Sequence, residues 1–315
     1  MYHDLELVLQ HDLIVDWKEH YKEVFGKHTL LLNNRLHELP VFLPENLARL
    51  IETTPSEHYD FVRPGAIGTK KSQWLQGSIE GTKGEDVLRA VEEGRFWLSL
   101  RALQEWDEGF RQVTSKIFDE LEVKVPGFET FKHKTGMLIS SPGAQVYYHA
   151  DVPGQSLWQV KGHKDVYIYE NTAPFLSDEQ LEGIFLGTTE EEIRFEPWYD
   201  EFATKVTLSP GEMAHWPLNN PHRVENHDEV NISVTTEHFT TEIRDFYAII
   251  YANGLLRRAG ISGNRHSVGA MKYAKMALAA AHKIIYKKMV QQSAGAKSPR
   301  SFKLDMAAPE FMADL

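Results

Sequence analysis

Cysteine is absent from the 315 residues, which removes disulfides, zinc knuckles, iron–sulfur clusters and thiol nucleophiles in one step. Any metal must be held by His, Asp or Glu. Long apolar runs are missing too, since no stretch reaches the roughly 20 apolar residues of a membrane span. The start, Met1-Tyr2-His3-Asp4-Leu5-Glu6, lacks the basic and continuously apolar segments of a secretory signal. These absences lead us to expect a soluble, cytoplasmic protein. With 42% hydrophobic and 25% charged residues, the chain has an ordinary globular balance. It is long enough for one large domain with appendages or two modest ones.

Positive charge is scarce until the C-terminal end. Residues 257–315 carry 11 Lys or Arg against Asp305, Glu310 and Asp314, a balance of +8 that leaves −19 for residues 1–256 and −11 overall. The acidic bulk argues against nucleic-acid binding. The basic end suggests contact with an anionic surface or with the protein's own acidic body.

Residues 1–127 read as a mainly helical N-terminal region. Helical spacing appears at 12–25 and 44–51, residues 65–84 are a Gly-, Lys- and Ser-rich loop, and a long helix is expected over 84–120, continuous or broken near Gly94, with Trp97, Leu98, Leu100, Leu103 and Trp106 on its buried face. From 128 the pattern becomes short strand-like runs separated by Gly and Pro: 136–140, 145–151, 156–160, 165–169, 204–208, 213–216, 222–225 and 230–237. Eight such strands suggest a sandwich or jelly roll over 128–240. The acidic stretch 177–196, with Glu190, Glu191 and Glu192, reads as a solvated helix and loop between the fourth and fifth strands.

Residues 241–315 return to helix, with an amphipathic segment at 241–258 and the clearest helix in the chain at 270–289. On a helical projection Lys272, Lys275, Lys283 and Lys287 form one stripe opposite Ala274, Leu278, Ala281 and Ile285. Such a helix packs on its own domain or a dimer mate more often than it lies on an anionic membrane. The tail 291–315 shows no periodicity and is expected to be mobile or draped over the surface.

His149, Asp151 and His222 carry the chemistry. Alternate residues of a strand share a face, so the imidazole of His149 and the carboxylate of Asp151 can reach one metal ion. His222 supplies a third ligand once the turn at Pro210-Gly211 reverses the chain. Two imidazoles and one carboxylate on one side of an iron leave positions open on the other, the arrangement of non-haem Fe(II) oxygenases. A His-x-Asp tripeptide alone is weak evidence, and an ordinary hydrogen-bonded pair is its plain alternative. Here Lys164 after a second strand and Pro210-Gly211-Glu212 before a third occur with it. His133, His163, His215, His227 and His238 read as structural or surface residues, and Tyr147, Tyr148, Trp158 and Trp216 as core or pocket wall.

Two runs, His149-Ala150-Asp151 through Gln159-Val160-Lys161-Gly162-His163-Lys164, and Leu208-Ser209-Pro210-Gly211-Glu212 through Pro221-His222-Arg223, resemble the metal motifs of the cupin-like and JmjC-like Fe(II)/2-oxoglutarate dioxygenases over roughly residues 130–240. The resemblance implies a mainly β core, a double-stranded β-helix of jelly-roll type, flanked by N-terminal and C-terminal α-helical regions. It implies Fe(II) on His149, Asp151 and His222, and 2-oxoglutarate with its distal carboxylate on Lys164. Gln155 and Thr235 occupy positions of further polar co-substrate contacts. The sequence departs from the family at Val146, where several relatives carry a hydroxyl residue. The activity implied is hydroxylation of a C–H bond with release of succinate and CO2, on a protein side chain, a small molecule or a glycolipid sugar. A cupin metalloenzyme that does not use 2-oxoglutarate, or a non-catalytic ligand-binding protein, are the alternatives. A homodimer is among the expected assemblies.

Overall fold

Alternating apolar residues make strands here, and apolar residues recurring every three to four positions make helices. The computed structural model describes residues 2–65, 74–188, 193–290 and 299–315. Up to residue 127 the two kinds of element interleave: α1 (Tyr2–Leu9), α2 (Tyr21–Val24), β1 (Leu30–Asn33), α3 (Pro44–Thr53), β2 (Tyr59–Arg63), β3 (Leu75–Ser78), α4 (Gly84–Glu93), β4 (Trp97–Leu100), α5 (Leu103–Trp106) and α6 (Glu108–Lys124). The expected long helix over 84–120 is therefore broken by a strand. Leu98 and Leu100 are buried as anticipated, but through strand pairing with Ile139 and Met137. Hydrogen-bonded neighbours on both sides of β4 outweigh the local helical pattern. Similarly, only Tyr21–Val24 of the stretch 12–25 is α-helical. Leu13 and Ile14 instead donate their amides to the buried Glu120 carboxylate (2.7 and 2.9 Å), and Ile14 bridges to Asn34.

The next eight strands follow the expected positions: β5 (Phe131–Ser140), β6 (Gln145–His149), β7 (Gly154–Lys161), β8 (Lys164–Ile168), β9 (Thr204–Leu208), β10 (Glu212–His215), β11 (His222–Asn226) and β12 (Asn231–Phe239), with α7 (Asp178–Leu186) between β8 and β9. Residues 189–192 of the acidic stretch, and 66–73 of the loop before β3, lie outside the described residues. After β12 come α8 (Thr241–Arg258), α9 (Gly269–Val290), β13 (Phe302–Leu304) and β14 (Met312–Asp314). Residues 291–298 of the tail expected to be mobile or draped over the surface lie outside the described residues, and within 302–314 the chain pairs as strands instead of staying mobile. β13 runs parallel to β3, and the 4% exposed Phe302 covers Gly77, where a Cβ would sit 2.3 Å from its ring. Three-residue strands are too short to leave a periodic trace.

Two sheets result. Among the described residues the larger has the order β1-β10-β7-β12-β5-β4-β2-β3-β13-β14 and the smaller β6-β11-β8-β9. The eight strands β5 to β12 divide four to each sheet and change sheet at every step except β8 to β9, as in a double-stranded β-helix, the expected jelly roll. β1 and β2–β4 extend the larger sheet past both of its edges, so the N-terminal region and the β core share one sheet. Met137, Ile139, Trp158 and Val234 point away from the smaller sheet into a core shared with Phe110, Val113, Ile117 and Phe118 of α6. The opposite faces enclose a second apolar layer of Leu157, Val166, Ile168, Leu208, Ala214, Trp216 and Val224. The candidate site lies within this inter-sheet space.

Candidate metal centre

β6 and β11 are antiparallel neighbours whose register sets His222 directly opposite His149, so sheet pairing alone brings the rings to 4.1 Å between centroids. Asp151 lies just beyond the end of β6, its backbone carbonyl accepting from Asn219 Nδ2 at 2.5 Å. Nε2 of His222 is 3.3 Å and Nε2 of His149 3.9 Å from the Asp151 carboxylate. One donor atom from each of the three residues falls within 4.8 Å of the others.

Both rings are oriented by backbone. Nδ1 of His149 donates to the Tyr147 carbonyl (2.8 Å) and Nδ1 of His222 to the Asn220 carbonyl (3.1 Å). A carbonyl can only accept, so the proton sits on Nδ1 and the Nε2 lone pair faces Asp151. This is the way metal-bound histidines are held. Burial, and next the adjacent His149, keep His222 well below the usual histidine range and hence neutral, as a ligand must be. The Gln155 amide lies against the Asp151 carboxylate, and a carboxylate can only accept, so the amide nitrogen is assigned to that side as donor. Gln155 thus stands beside Asp151, a candidate metal ligand.

Lys164 opens β8 and is 3% exposed. Alternation along β8 points it inward with Val166 and Ile168, on the face that His222 and Val224 present from β11. Register pairs His222 with Ile168 and Asn226 with Lys164, so the lysine lies about 13 Å along the strand from the triad's level. Among the described residues its ammonium has no hydrogen-bond or ion-pair partner, and burial alone pushes it down to about 7. Leu138, Ser140, Val146 and Asn226 line a small cavity with it. Thr235, on β12 between Gly136 and Leu157, faces the same inter-sheet space. A Cβ on Gly136 would come within 2.8 Å of its hydroxyl. No contact joins Thr235 to Lys164 among the described interactions.

Some contributors are invisible in the motifs. Asn219, at φ +59° in the left-handed region asparagine tolerates, holds Asp151. The run Asn219-Asn220-Pro221 before His222 is turn chemistry that could have flagged it. Arg223, on the far face of β11, lies 3.6 Å over the Tyr167 ring and donates to Asp200, Tyr169 and Glu225. That network borders a cleft of about 590 Å³ lined also by Trp74, Arg95, Tyr147 and Phe195. None of the three ligands lines this cleft, but the Tyr147 ring on its wall is 5.2 Å from that of His149. No described helix is long and apolar enough to cross a membrane.

No family model matches the chain, and no curated protein does. Among solved structures it is similar to the Escherichia coli ribosomal oxygenase YcfD, at 17% identity over 90% of this chain and 68% of that one with a TM-score of 0.47. A structure of YcfD in complex with cobalt and 2-oxoglutarate shows 18% identity over 89% and 70% of the two chains, with a TM-score of 0.45. The DMSP lyase DddQ from Ruegeria pomeroyi DSS-3 matches 35% of this chain and 40% of its own at 11% identity and a TM-score of 0.22. These overlays are too loose to carry function, which rests on the side chains above.

Proposed function

We propose that this chain is an Fe(II)- and 2-oxoglutarate-dependent oxygenase that hydroxylates a C–H bond of its substrate, releasing succinate and CO2. The observation that carries the reading is Lys164, a buried ammonium without a described partner, sharing one inter-sheet space with two Nδ1-protonated histidines and a carboxylate. A buried cation is stable only when paired, and a diacid extending from the metal would bring the missing charge. His149, Asp151 and His222 would hold Fe(II), a donor set that suits it. When bound, Fe(II) and 2-oxoglutarate would supply the means to activate O2, the oxidant, one oxygen atom of which would go to succinate and the other to the substrate. The chain's own residues do the rest: the Tyr147 and Asn220 carbonyls orient the rings, Gln155 and Asn219 fix Asp151, Lys164 anchors the distal carboxylate, and Trp216, Val166 and Ile168 exclude water. Thr235 is a candidate for a further polar contact to the diacid. A cytoplasmic setting, where iron stays reduced, fits this chemistry. The substrate is a protein side chain, a small molecule or a glycolipid sugar.

One observation favours a second reading, a cupin metalloenzyme without 2-oxoglutarate. The cavity beside Lys164 measures about 10 Å³, space for about one water, so a diacid enters only if Val146, Leu138 or the lysine stem shifts. Anaerobic titration of the Fe(II)-loaded protein with 2-oxoglutarate separates the two. The first reading expects the visible charge-transfer band of the chelate, weakened in Lys164→Ala and lost in Asp151→Ala. Bound iron without a band would overturn it.

A further inference from the structure

Among its described lining residues, the cleft beside the candidate metal centre offers free hydrogen-bond donors and no free side-chain carboxylate. Its volume of about 590 Å³ is that of a small-molecule site. Arg95, Arg194, Asp200, Arg223 and Glu225 supply its charge. Both acids are engaged already: Arg223 donates to Asp200 at 3.1 Å and to Glu225 at 2.6 Å, and the Tyr169 hydroxyl also donates to Asp200. Arg194 pairs with Glu196 at 2.5 Å. Arg95 is exposed, and among the described residues its guanidinium has no ion-pair or hydrogen-bond partner. Trp74 is 8% exposed, and its buried indole N–H finds no acceptor, whereas a buried indole N–H normally has one.

These two donors belong to one aromatic wall. Arg95 stands two residues before Trp97, whose ring meets that of Trp74 edge-on at 5.4 Å. The Trp74 ring lies 5.7 Å from that of Tyr147, which is 5.2 Å from that of His149. The wall thus runs from a candidate metal ligand outward to a free guanidinium, and Phe195 lines the same cleft. Pro64, Ala144, Gln145 and Val146 border both this cleft and the small cavity of Lys164, so the two spaces adjoin. Aromatic faces with a cationic end suit a ligand that has an apolar body and an anionic group. A cationic ligand would find no free carboxylate there and would face Arg95 with like charge.

We propose that this cleft binds the primary substrate and that the substrate is a small organic acid, its carboxylate paired with Arg95, the Trp74 N–H a further donor, and its apolar body along Tyr147 towards the metal centre. The role as substrate rests on the oxygenase reading above; the binding of an acid in the cleft does not.

The test is a ligand-detected NMR titration of the metal-free full chain with phenylacetate, 2-phenylethanol and 2-phenylethylamine, which share a ring and differ in charge. Phenylacetate is expected to bind about 10-fold more tightly than either of the others. Arg95→Gln, at an exposed position, should weaken phenylacetate about 10–100-fold and leave 2-phenylethanol unchanged. Trp74→Phe keeps a ring and removes the N–H, and should weaken phenylacetate about 3–10-fold. Lys164→Met should bind it as the parent does. The probe's ring protons should broaden with the Co(II)-loaded protein relative to the Zn(II)-loaded one, because the cleft wall is one ring away from His149. Equal binding of the three probes, unchanged binding in Arg95→Gln, or no broadening by Co(II) would each overturn the proposal. So would loss of binding in Lys164→Met, which would place the carboxylate beside that lysine instead. The metal-free titration needs neither iron nor 2-oxoglutarate, so it can fail while the charge-transfer band of the chelate appears and succeed where the band is missing.

Discussion

Replacing Lys164 by methionine keeps the length of the side chain and removes its charge, and the structure sets both the size and the sign of the effect. Burial holds the ammonium at about 7 against an ordinary 10.5. In the unfolded chain the lysine stays protonated up to about 10.5, so between pH 7 and 10.5 the unfolded state binds more protons and stability rises with pH. Below pH 7 both states are protonated and the full penalty applies, a depression worth roughly 5 kcal/mol as an upper figure. Lys164→Met relieves it. The metal-free variant should therefore melt above the parent at pH 6.5, by roughly 5–10 °C for a chain of this length. The gap should shrink as pH rises from 7 towards 10. With both proteins already loaded with Co(II), which is stable in air, adding 2-oxoglutarate should raise the melting temperature of the parent further and move that of Lys164→Met much less, since only the parent gains a partner for its buried charge. Calorimetry at five pH values on both proteins decides the matter. A variant that melts with or below the parent throughout pH 6–9 would refute the claim that Lys164 is an unpaired buried cation, and with it the main support for a diacid.

Three further outcomes can be checked. Asn219→Ala removes the donor to the Asp151 carbonyl and puts alanine where the backbone is left-handed, a conformation asparagine tolerates better; Co(II) or Zn(II) affinity by calorimetric titration should fall about 10–100-fold while the fold persists. Gly77→Val drives a side chain into the Phe302 ring; it should undock β13 and β14, costing about 1–3 kcal/mol in urea unfolding and speeding proteolysis of the tail. Burial holds His215 near 4 and His238 near 3, with neighbouring histidines adding to the latter. Both lie below the unfolded value of about 6.5, so the unfolded state takes up protons first and stability falls as pH drops through 6.5 and on towards 3. His238→Leu should flatten that acid limb, and an unchanged limb would show that His238 does not titrate on unfolding.

The eight strands of the β core were legible because each alternates residues on a half-buried surface between Gly and Pro turns, a pattern with period two that survives in five residues. The three candidate metal ligands were legible for the same reason: residue type and strand position together specify which side chains share a face. Helices α8 and α9 were legible from their length. Sequence alone therefore determined the element types of the β core, the candidate ligand set and the existence of an amphipathic C-terminal helix.

Only the tertiary structure decided what each of these meets. Strand β4 was hidden within a helical stretch because its strand character comes from β2 and β5, which are distant in sequence. β13 and β14 became strands only by docking beside β3. Asn219 acts on Asp151 across 68 positions of chain, and the lysine at 164 became a buried charge only once two sheets closed over it. The same holds for α9: its periodicity established two faces, but which one turned inward was set by Asp245, Tyr247 and Tyr251 on its neighbour. Local sequence encodes faces and periods, because these depend on bonded geometry. Partners depend on contacts between segments far apart in the chain, and no local pattern records them.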